Sequence, residues 1–195
     1  MIKAIVFDCF GVLTTEGWQE FKQTHFAEDA EKLEEANKLN SLADSGKMKH
    51  EQLLPMIAQL AGIPTSQAIA EIDDYQTNKK LFHYISEHLK PKYKIGMLSN
   101  VSDDWLNRMF SNEQRNIFDA FALSFQMGFT KPDKRAYEYI AEKLGVSLEE
   151  CVFIDDREHY VIASEKYGMK GILYNDFSQF KQDIENILEV TNTDK

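Results

Sequence analysis

The chain has 195 residues, 43% of them hydrophobic, and a net charge of −10 at pH 7. This length is enough for one core, or for one domain that carries a small insert. The acidic balance argues against a nucleic-acid partner, because phosphate backbones are bound by basic surfaces. The amino terminus shows no signal-peptide pattern, and no segment reaches the roughly 20 apolar residues that cross a bilayer. We therefore expect a soluble, cytoplasmic protein without a membrane partner. Composition does not distinguish a monomer from a homodimer.

The cysteines and histidines show no spacing typical of a zinc site. Cys9 follows the first predicted strand, whereas Cys151 opens a later one. In a parallel sheet these positions lie at opposite edges, so no disulfide is expected. No His-x-x-x-His pair is present, and each of the five histidines is interpreted as a surface or packing residue.

The first predicted element is a buried strand at residues 5–7 that runs into a carboxylate, Asp8, and breaks at Gly11. A parallel strand that is covered on both faces reads as a continuous apolar run. Ligands of open α/β sheets bind beyond the carboxyl ends of the strands, which is where Asp8 would lie. Alternatively, Asp8 begins a turn or caps a helix.

Residues 14–90 contain no convincing strand and several helical runs. Their apolar spacing and helix-forming composition predict helices near residues 18–25, 30–42, 50–60, from 65 or 66 onwards, and 78–89. Short helices with short connections suggest a small bundle. We therefore predict a separate helical cap domain at residues 14–90. The alternative is that these helices extend a single domain.

Strands then return and alternate with helices to the end of the chain. The predicted strands are 93–98, 120–124, 151–154 and 171–174, and the predicted helices begin at 102 or 103 and span 134–144, 161–167 and 177–190. A capping box at residues 147–150 and a frayed tail at 191–195 complete the prediction. Alternating strands and helices predict an α/β fold, in which residues 1–13 and 91–195 form a Rossmann-like parallel sheet core.

Polar residues follow several of the predicted strands and should meet at one edge of the sheet. They are Asp8, Ser99, Asn100, Lys131, Asp155 and Asp156. Three neighbouring carboxylates repel one another unless a cation is present, and Mg²⁺ prefers such oxygen ligands. Lys131 adds a fixed positive charge and Ser99 a hydroxyl donor. This set suits a phosphoryl group attacked by a carboxylate.

The order Asp8, Ser99-Asn100, Lys131-Pro132 and Asp155-Asp156 resembles the haloacid dehalogenase superfamily, and the helical insert resembles the cap of its subfamily I. The resemblance implies that Asp8 is the catalytic nucleophile and forms an aspartyl-phosphate, with Lys131 as the second catalytic residue. It also implies that Ser99 and Asn100 bind the substrate. The implied Mg²⁺ ligands are Asp8, the backbone carbonyl of Phe10, Asp155 and Asp156.

Phe10 departs from the family pattern, in which phosphatases usually carry a second Asp that acts as general acid and base. Losing such a group typically costs about 100- to 10,000-fold in rate. Either the rate is low, another group such as Thr14, Thr15 or Glu16 donates, or the leaving group needs little help. A branch similar to sugar-1-phosphate phosphatases also lacks this Asp, and residues 98–101 and 153–156 resemble that branch.

Two other interpretations stay open. Dehalogenases of the same family also lack the second Asp, but they lack the acidic pair and use an Arg near the start of the cap. Residues 14–90 contain no Arg. A non-catalytic binding protein on the same scaffold would explain Phe10 but not the retained charged residues. The sequence thus predicts a Mg²⁺-dependent phosphatase that hydrolyses a small phosphorylated metabolite, such as a sugar phosphate.

Overall fold

Five parallel strands form the centre of the computed structural model, which describes residues 1–193 and the side chains up to residue 190. The strands are β1 (Ala4–Phe7), β2 (Lys94–Ser99), β3 (Ala120–Leu123), β4 (Cys151–Asp155) and β5 (Lys170–Leu173). Their order across the sheet is β3-β2-β1-β4-β5. Ile5 of the central strand pairs with Ile95 on one side and with Val152 on the other. The predicted α/β class is confirmed.

Both faces of the sheet are covered, which explains why the central strand is an uninterrupted apolar run. Side chains of a strand alternate between its faces. Ile5 and Phe7 accordingly lie in one buried cluster, while Ala4 and Val6 lie in another on the opposite face. All four residues of β1 are buried.

Helices pack against both faces of the sheet. The α-helices of the chain are α1 (Gly17–Phe26), α2 (Ala30–Asp44), α3 (His50–Ala61), α4 (Thr65–Ile72), α5 (Lys79–Tyr84), α6 (Leu106–Met109), α7 (Asn112–Arg115), α8 (Ser124–Met127), α9 (Lys134–Leu144), α10 (Glu158–Lys166) and α11 (Phe177–Thr193). One π-helical turn, Ile85–Leu89, follows α5, and a 3₁₀ turn, Leu148–Glu150, precedes β4 with the predicted capping box.

The helix predicted to begin at residue 102 or 103 begins later, at Leu106, and ends at Met109. Only α6 forms, because Asp103 and Asp104 accept hydrogen bonds from the backbone N–H groups of Asp104 and Leu106, and such local bonds compete with helix formation. Ser111 then caps the separate helix α7.

At the carboxyl end, α11 continues to Thr193, three residues beyond its predicted end. This helix therefore includes the first three residues of the predicted tail. Residues 194–195, the rest of that tail, lie outside the described residues.

Helices α1–α4 share a hydrophobic cluster of their own, which includes Phe21, Phe26 and Ile57. In contrast, Leu81 and Phe82 of α5 pack in the cluster beneath the sheet. The chain leaves and re-enters the core at adjacent points, since the Asn78 N–H donates to the Leu13 carbonyl at 2.8 Å. A separate cap domain at 14–90 stays a prediction, and this packing favours ending it near residue 77. Helices α1–α4 are termed the cap helices.

Two further sequence expectations concern cysteines and membranes. Cys9 and Cys151 are both buried and free. Within residues 1–193, no single helix has the length and apolar composition to cross a membrane. Helices α3 and α4 have that length and composition only when taken together, and the chain bends by 106° between them.

Candidate active site

The carboxyl ends of three neighbouring strands bring the predicted site residues together at one sheet edge. Asp8 directly follows β1, Ser99 ends β2 and Asp155 ends β4. The Asp8 N–H donates to the Ile154 carbonyl at 2.8 Å, which continues the ladder between β1 and β4 by one residue. All three polar side chains are buried, so the fold itself forces them into proximity.

Lys131 is the buried cation of this edge, with 3% of its surface exposed. Its Nζ donates to Asp8 Oδ1 at 2.6 Å and to Asp155 Oδ2 at 2.5 Å. These two carboxylates raise the pKa of Lys131 further above its usual value, although burial alone would lower it. Lys131 is therefore a permanent positive charge between two acidic groups.

Asn100 holds the backbone of Lys131 in place. The Lys131 N–H donates to Asn100 Oδ1 at 2.8 Å, and Asn100 Nδ2 donates back to the Lys131 carbonyl at 3.0 Å and to Tyr160 Oη at 3.2 Å. Both amide groups of Asn100 are thus engaged within the protein. This arrangement favours a positioning role for Asn100, and its contact with substrate stays a prediction.

The three acidic residues of the edge are Asp8, Asp155 and Asp156. Each offers one carboxylate oxygen, and these three oxygens lie within 4.8 Å of one another. Burial raises the pKa of Asp8 and of Asp156 to about 6 each. Among the described residues, no hydrogen-bond partner reaches the buried Asp156 Oδ1. An all-oxygen set with an unsatisfied ligand atom fits a hard divalent cation such as Mg²⁺.

Gly11 lies directly against this acidic group. Its φ of +84° belongs to the left-handed region that glycine tolerates. A Cβ atom at this position would overlap the Asp156 carboxylate. The break that the sequence indicated at Gly11 is therefore a position where the backbone must pass the site without a side chain.

Ser99 presents a second unsatisfied group. Its Oγ is buried, and no described residue lies within hydrogen-bond distance of it. An orphaned buried hydroxyl is unfavourable unless another molecule completes it. A phosphoryl oxygen of a substrate would do so.

Phe10 stands where the resemblance described above implies a second carboxyl. Its ring packs edge to face against Trp105 at a centroid distance of 5.1 Å. The Thr14 hydroxyl donates to the Cys9 carbonyl, Thr15 Oγ accepts from the Gln76 N–H, and Glu16 forms an ion pair with Arg157. The three nearby groups that the sequence offered as substitutes are thus all committed to other contacts.

A cavity of about 460 Å³ lies between this edge and the cap helices. Its polar wall consists of Asn37, Asn40, Ser41 and Asp44, which share one face of α2. Its apolar wall includes Leu53, Leu54, Ile57, Ile72 and Trp105. Trp18 also lines the cavity, whereas Phe21 lies in the cap core. A substrate bound here would meet both kinds of wall.

Two side-chain contacts fasten the cap to the core beside the cavity. A hydrogen bond of 2.8 Å joins His50 Nδ1, at the start of α3, to Ser102 Oγ. The Glu16–Arg157 ion pair joins the residue before α1 to the loop after β4. Arg157 also donates its N–H to Asp155 Oδ1 at 2.9 Å. The cap is therefore linked directly to the acidic loop.

The sequence prediction omitted Arg157, Tyr160 and Asp44 from the site. Arg157 could have been found, because it directly follows the acidic pair and must share its loop. Tyr160 lies under Lys131, with Nζ 4.8 Å from its ring centroid. Asp44 gave no usable signal, since its position depends on how α2 packs over the sheet.

Known proteins share this fold and architecture. The chain is 23% identical over 180 residues to a sesquiterpene phosphatase of Aspergillus oryzae (89% of this chain, 90% of the relative). It is 23% identical over 206 residues to a D-ribitol-5-phosphate phosphatase of Bacteroides thetaiotaomicron (96% and 99%). A HAD family enzyme of Bacteroides thetaiotaomicron, solved with magnesium and inorganic phosphate, superposes with a TM-score of 0.71 at 22% identity (92% and 99%). The haloacid dehalogenase-like hydrolase family model matches residues 2–166. This chain therefore belongs to the haloacid dehalogenase-like hydrolase family.

Proposed function

We propose that the protein is a Mg²⁺-dependent phosphatase that hydrolyses a small phosphorylated metabolite through an aspartyl-phosphate. The observation that carries this proposal is the buried Lys131 between Asp8 and Asp155, with Asp156 alongside. Gathering these charges in a buried place is costly, and phosphoryl transfer is a reaction that uses all of them. Both relatives described above are named as phosphatases, which supports the same activity.

Each residue of the sheet edge has a role in this reaction. Asp8 attacks phosphorus, and the bond to the leaving-group oxygen breaks. The Ser99 hydroxyl donates a hydrogen bond to a phosphoryl oxygen, and Lys131 offsets negative charge while it orients Asp8. A water oxygen then bonds to phosphorus while the bond between phosphorus and the Asp8 oxygen breaks, which gives free phosphate and the Asp8 carboxylate.

The metal would be held by Asp8, Asp155, Asp156 and the backbone carbonyl of Phe10. Once bound, Mg²⁺ would neutralise part of the charge that the phosphoryl oxygens carry. The unsatisfied Asp156 Oδ1 supports this assignment. The magnesium complex of the similar bacterial enzyme is consistent with it.

Two substrate classes fit the cavity. The polar wall on α2 offers amide, hydroxyl and carboxyl groups that can bind the hydroxyls of a sugar or sugar-alcohol phosphate. The apolar wall around Leu53, Ile57 and Trp105 instead favours a hydrocarbon-rich alcohol, such as a terpenoid. The two named relatives represent these two classes. The branch similar to sugar-1-phosphate phosphatases stays a prediction.

The two rival interpretations are less well supported. A dehalogenase of this family works without metal, and the acidic group of Asp8, Asp155 and Asp156 would then lack a purpose. Cavity-lining arginines exist, but Arg108 and Arg157 come from the core and not from residues 14–90. A non-catalytic binding protein has no need for Lys131 to contact Asp8.

The deciding experiment measures phosphate release with Mg²⁺ and with excess chelator. Its panel contains 4-nitrophenyl phosphate, an anomeric sugar phosphate, ribitol 5-phosphate and a C15 prenyl monophosphate. Turnover that chelator abolishes supports the proposal, and the best substrate identifies the leaving-group class. If no phosphate is released under any condition, the proposal fails. Chloride release from a 2-haloacid would then separate a dehalogenase from a binding protein.

A further inference from the structure

The proposed reaction requires a proton on the leaving-group oxygen, and the sheet edge offers none at Phe10. Within the described residues, four carboxyl groups line the cavity: those of Asp8, Glu16, Asp44 and Asp73. Asp8 is the proposed nucleophile, and Glu16 is paired with Arg157. Asp73 is exposed at the carboxyl end of α4. Asp44 is therefore the remaining cavity carboxyl available as a proton donor.

Asp44 is the last residue of α2 and belongs to the polar wall of the cavity. Asn40, one turn earlier, donates from Nδ2 to Asp44 Oδ2 at 2.9 Å. The end of α2 lies on the core, because a Cβ at Gly46 would be 3.0 Å from the Phe125 carbonyl oxygen. The side chain is therefore oriented by its own helix at a point where the cap touches the core.

The surroundings of Asp44 raise its pKa, so that its carboxyl group can carry a proton near neutral pH. Burial raises the pKa of Asp44 to about 7, even though Arg157 and Lys131 from the core and the hydrogen bond from Asn40 lower it. Glu16 raises it slightly. Lys22 of α1 and His50 of α3 line the same cavity. A carboxyl group with such a value exchanges protons near neutral pH, which suits a general acid and base.

We propose that Asp44, from the cap, transfers the proton that the residue at position 10 cannot supply. This inference rests on the proposed phosphatase function. As the bond between phosphorus and the leaving oxygen breaks, the carboxyl proton of Asp44 moves to that oxygen and yields the alcohol. In the second step, the Asp44 carboxylate takes a proton from water, whose oxygen bonds to phosphorus. The Asp8–phosphate bond breaks, and phosphate, the Asp8 carboxylate and protonated Asp44 result.

The test compares two esters of nearly the same shape. 4-Nitrophenyl phosphate has a leaving group that departs without a proton, whereas phenyl phosphate has a poorer one. We expect Asp44→Asn to lower kcat/KM for phenyl phosphate by about 100-fold, and for 4-nitrophenyl phosphate by less than about 10-fold. Since kcat/KM reports only steps through formation of the aspartyl-phosphate, the base role of Asp44 in the second step does not confuse this ratio.

The pH profile provides an independent readout. Asp44 donates only when protonated, so kcat/KM of the unaltered protein for phenyl phosphate should fall as pH rises through about 7. In Asp44→Asn this decline should disappear. A decline that persists unchanged would overturn the inference.

Two further variants keep the test decisive. Asp73→Asn alters another cavity carboxyl of the cap and should leave the ratio of the two esters unchanged. Asp44→Glu retains an acid on a longer arm, so its ratio should lie between those of the unaltered protein and Asp44→Asn. Equal ratios in all variants would show that Asp44 donates no proton. An unaltered protein that releases no phosphate with Mg²⁺ from these two esters or from any member of the substrate panel would instead refute the phosphatase function.

Discussion

The sheet side and the cap side of the cavity differ in how deeply their polar residues are buried. On the sheet side, Asp8, Ser99, Lys131 and Asp155 are buried, and each comes from a strand end or from a loop tied to one. On the cap side, Asp44 and its neighbours on α2 are only partly buried or exposed, and polar and apolar walls meet. In the proposed reaction, the phosphoryl end of a substrate faces the buried, charged side. The leaving group faces the side whose surface depends on how the cap helices pack.

Replacing Asp8 should have the largest effect, because it removes the proposed nucleophilic carboxylate from the sheet side. We expect Asp8→Asn to lower phosphatase turnover by at least about 10,000-fold while the fold is retained. Phosphate release and circular dichroism measure the two consequences. Asp74→Asn, an exposed carboxyl outside the cavity lining, is the matched control and should keep full activity. Turnover by Asp8→Asn at the rate of the unaltered protein would refute the nucleophile.

Removing the buried cation tests whether the sheet side depends on charge balance. Lys131→Met leaves Asp8 and Asp155 buried without their partner, so the free energy of unfolding should fall by about 3–5 kcal/mol. Urea denaturation measures this change. Lys134→Met breaks an exposed pair with Glu138 and should leave the unfolding free energy almost unchanged. Similar losses in both variants would show that burial does not distinguish these two lysines.

A smaller effect is expected when an acid is moved from the cap side back to the sheet side. In the Asp44→Asn background, Phe10→Asp should restore phenyl phosphate hydrolysis by about 10-fold. Introduced alone, the same change should give little gain, since Asp44 already supplies the proton. Phe10→Leu in the Asp44→Asn background is the control without an acid. Equal gains from Phe10→Asp in both backgrounds would contradict the role of Asp44.

Sequence reasoning succeeded best where buried strands meet polar residues. Cys151 starts both the predicted and the observed fourth strand, and the second strand starts one residue later than predicted, at Lys94. The reason is that a parallel strand covered on both faces must be apolar, and its functional residues must follow it. The coming together of Asp8, Lys131 and Asp155 therefore followed from their order along the chain.

The cap side could not be derived in this way. Asn37, Asn40 and Asp44 lie at helical spacing, and a polar helix face of this kind normally points to solvent. Only the packing of α2 above the sheet turns that face toward the cavity. The sequence likewise gave no means to tell Trp18, which lines the cavity, from Phe21, which fills the cap core.

Gly11 carries a consequence for mutational studies of this protein. It has no functional group, yet every replacement would push a side chain into the Asp156 carboxylate. With Asp156 as a proposed ligand, substitutions at Gly11 should lower Mg²⁺ affinity as severely as loss of that carboxylate, although Gly11 itself supplies no ligand atom. A mutational scan would score Gly11 beside the proposed catalytic residues. Gly11 contributes by lacking a side chain, which leaves room for the Asp156 carboxylate.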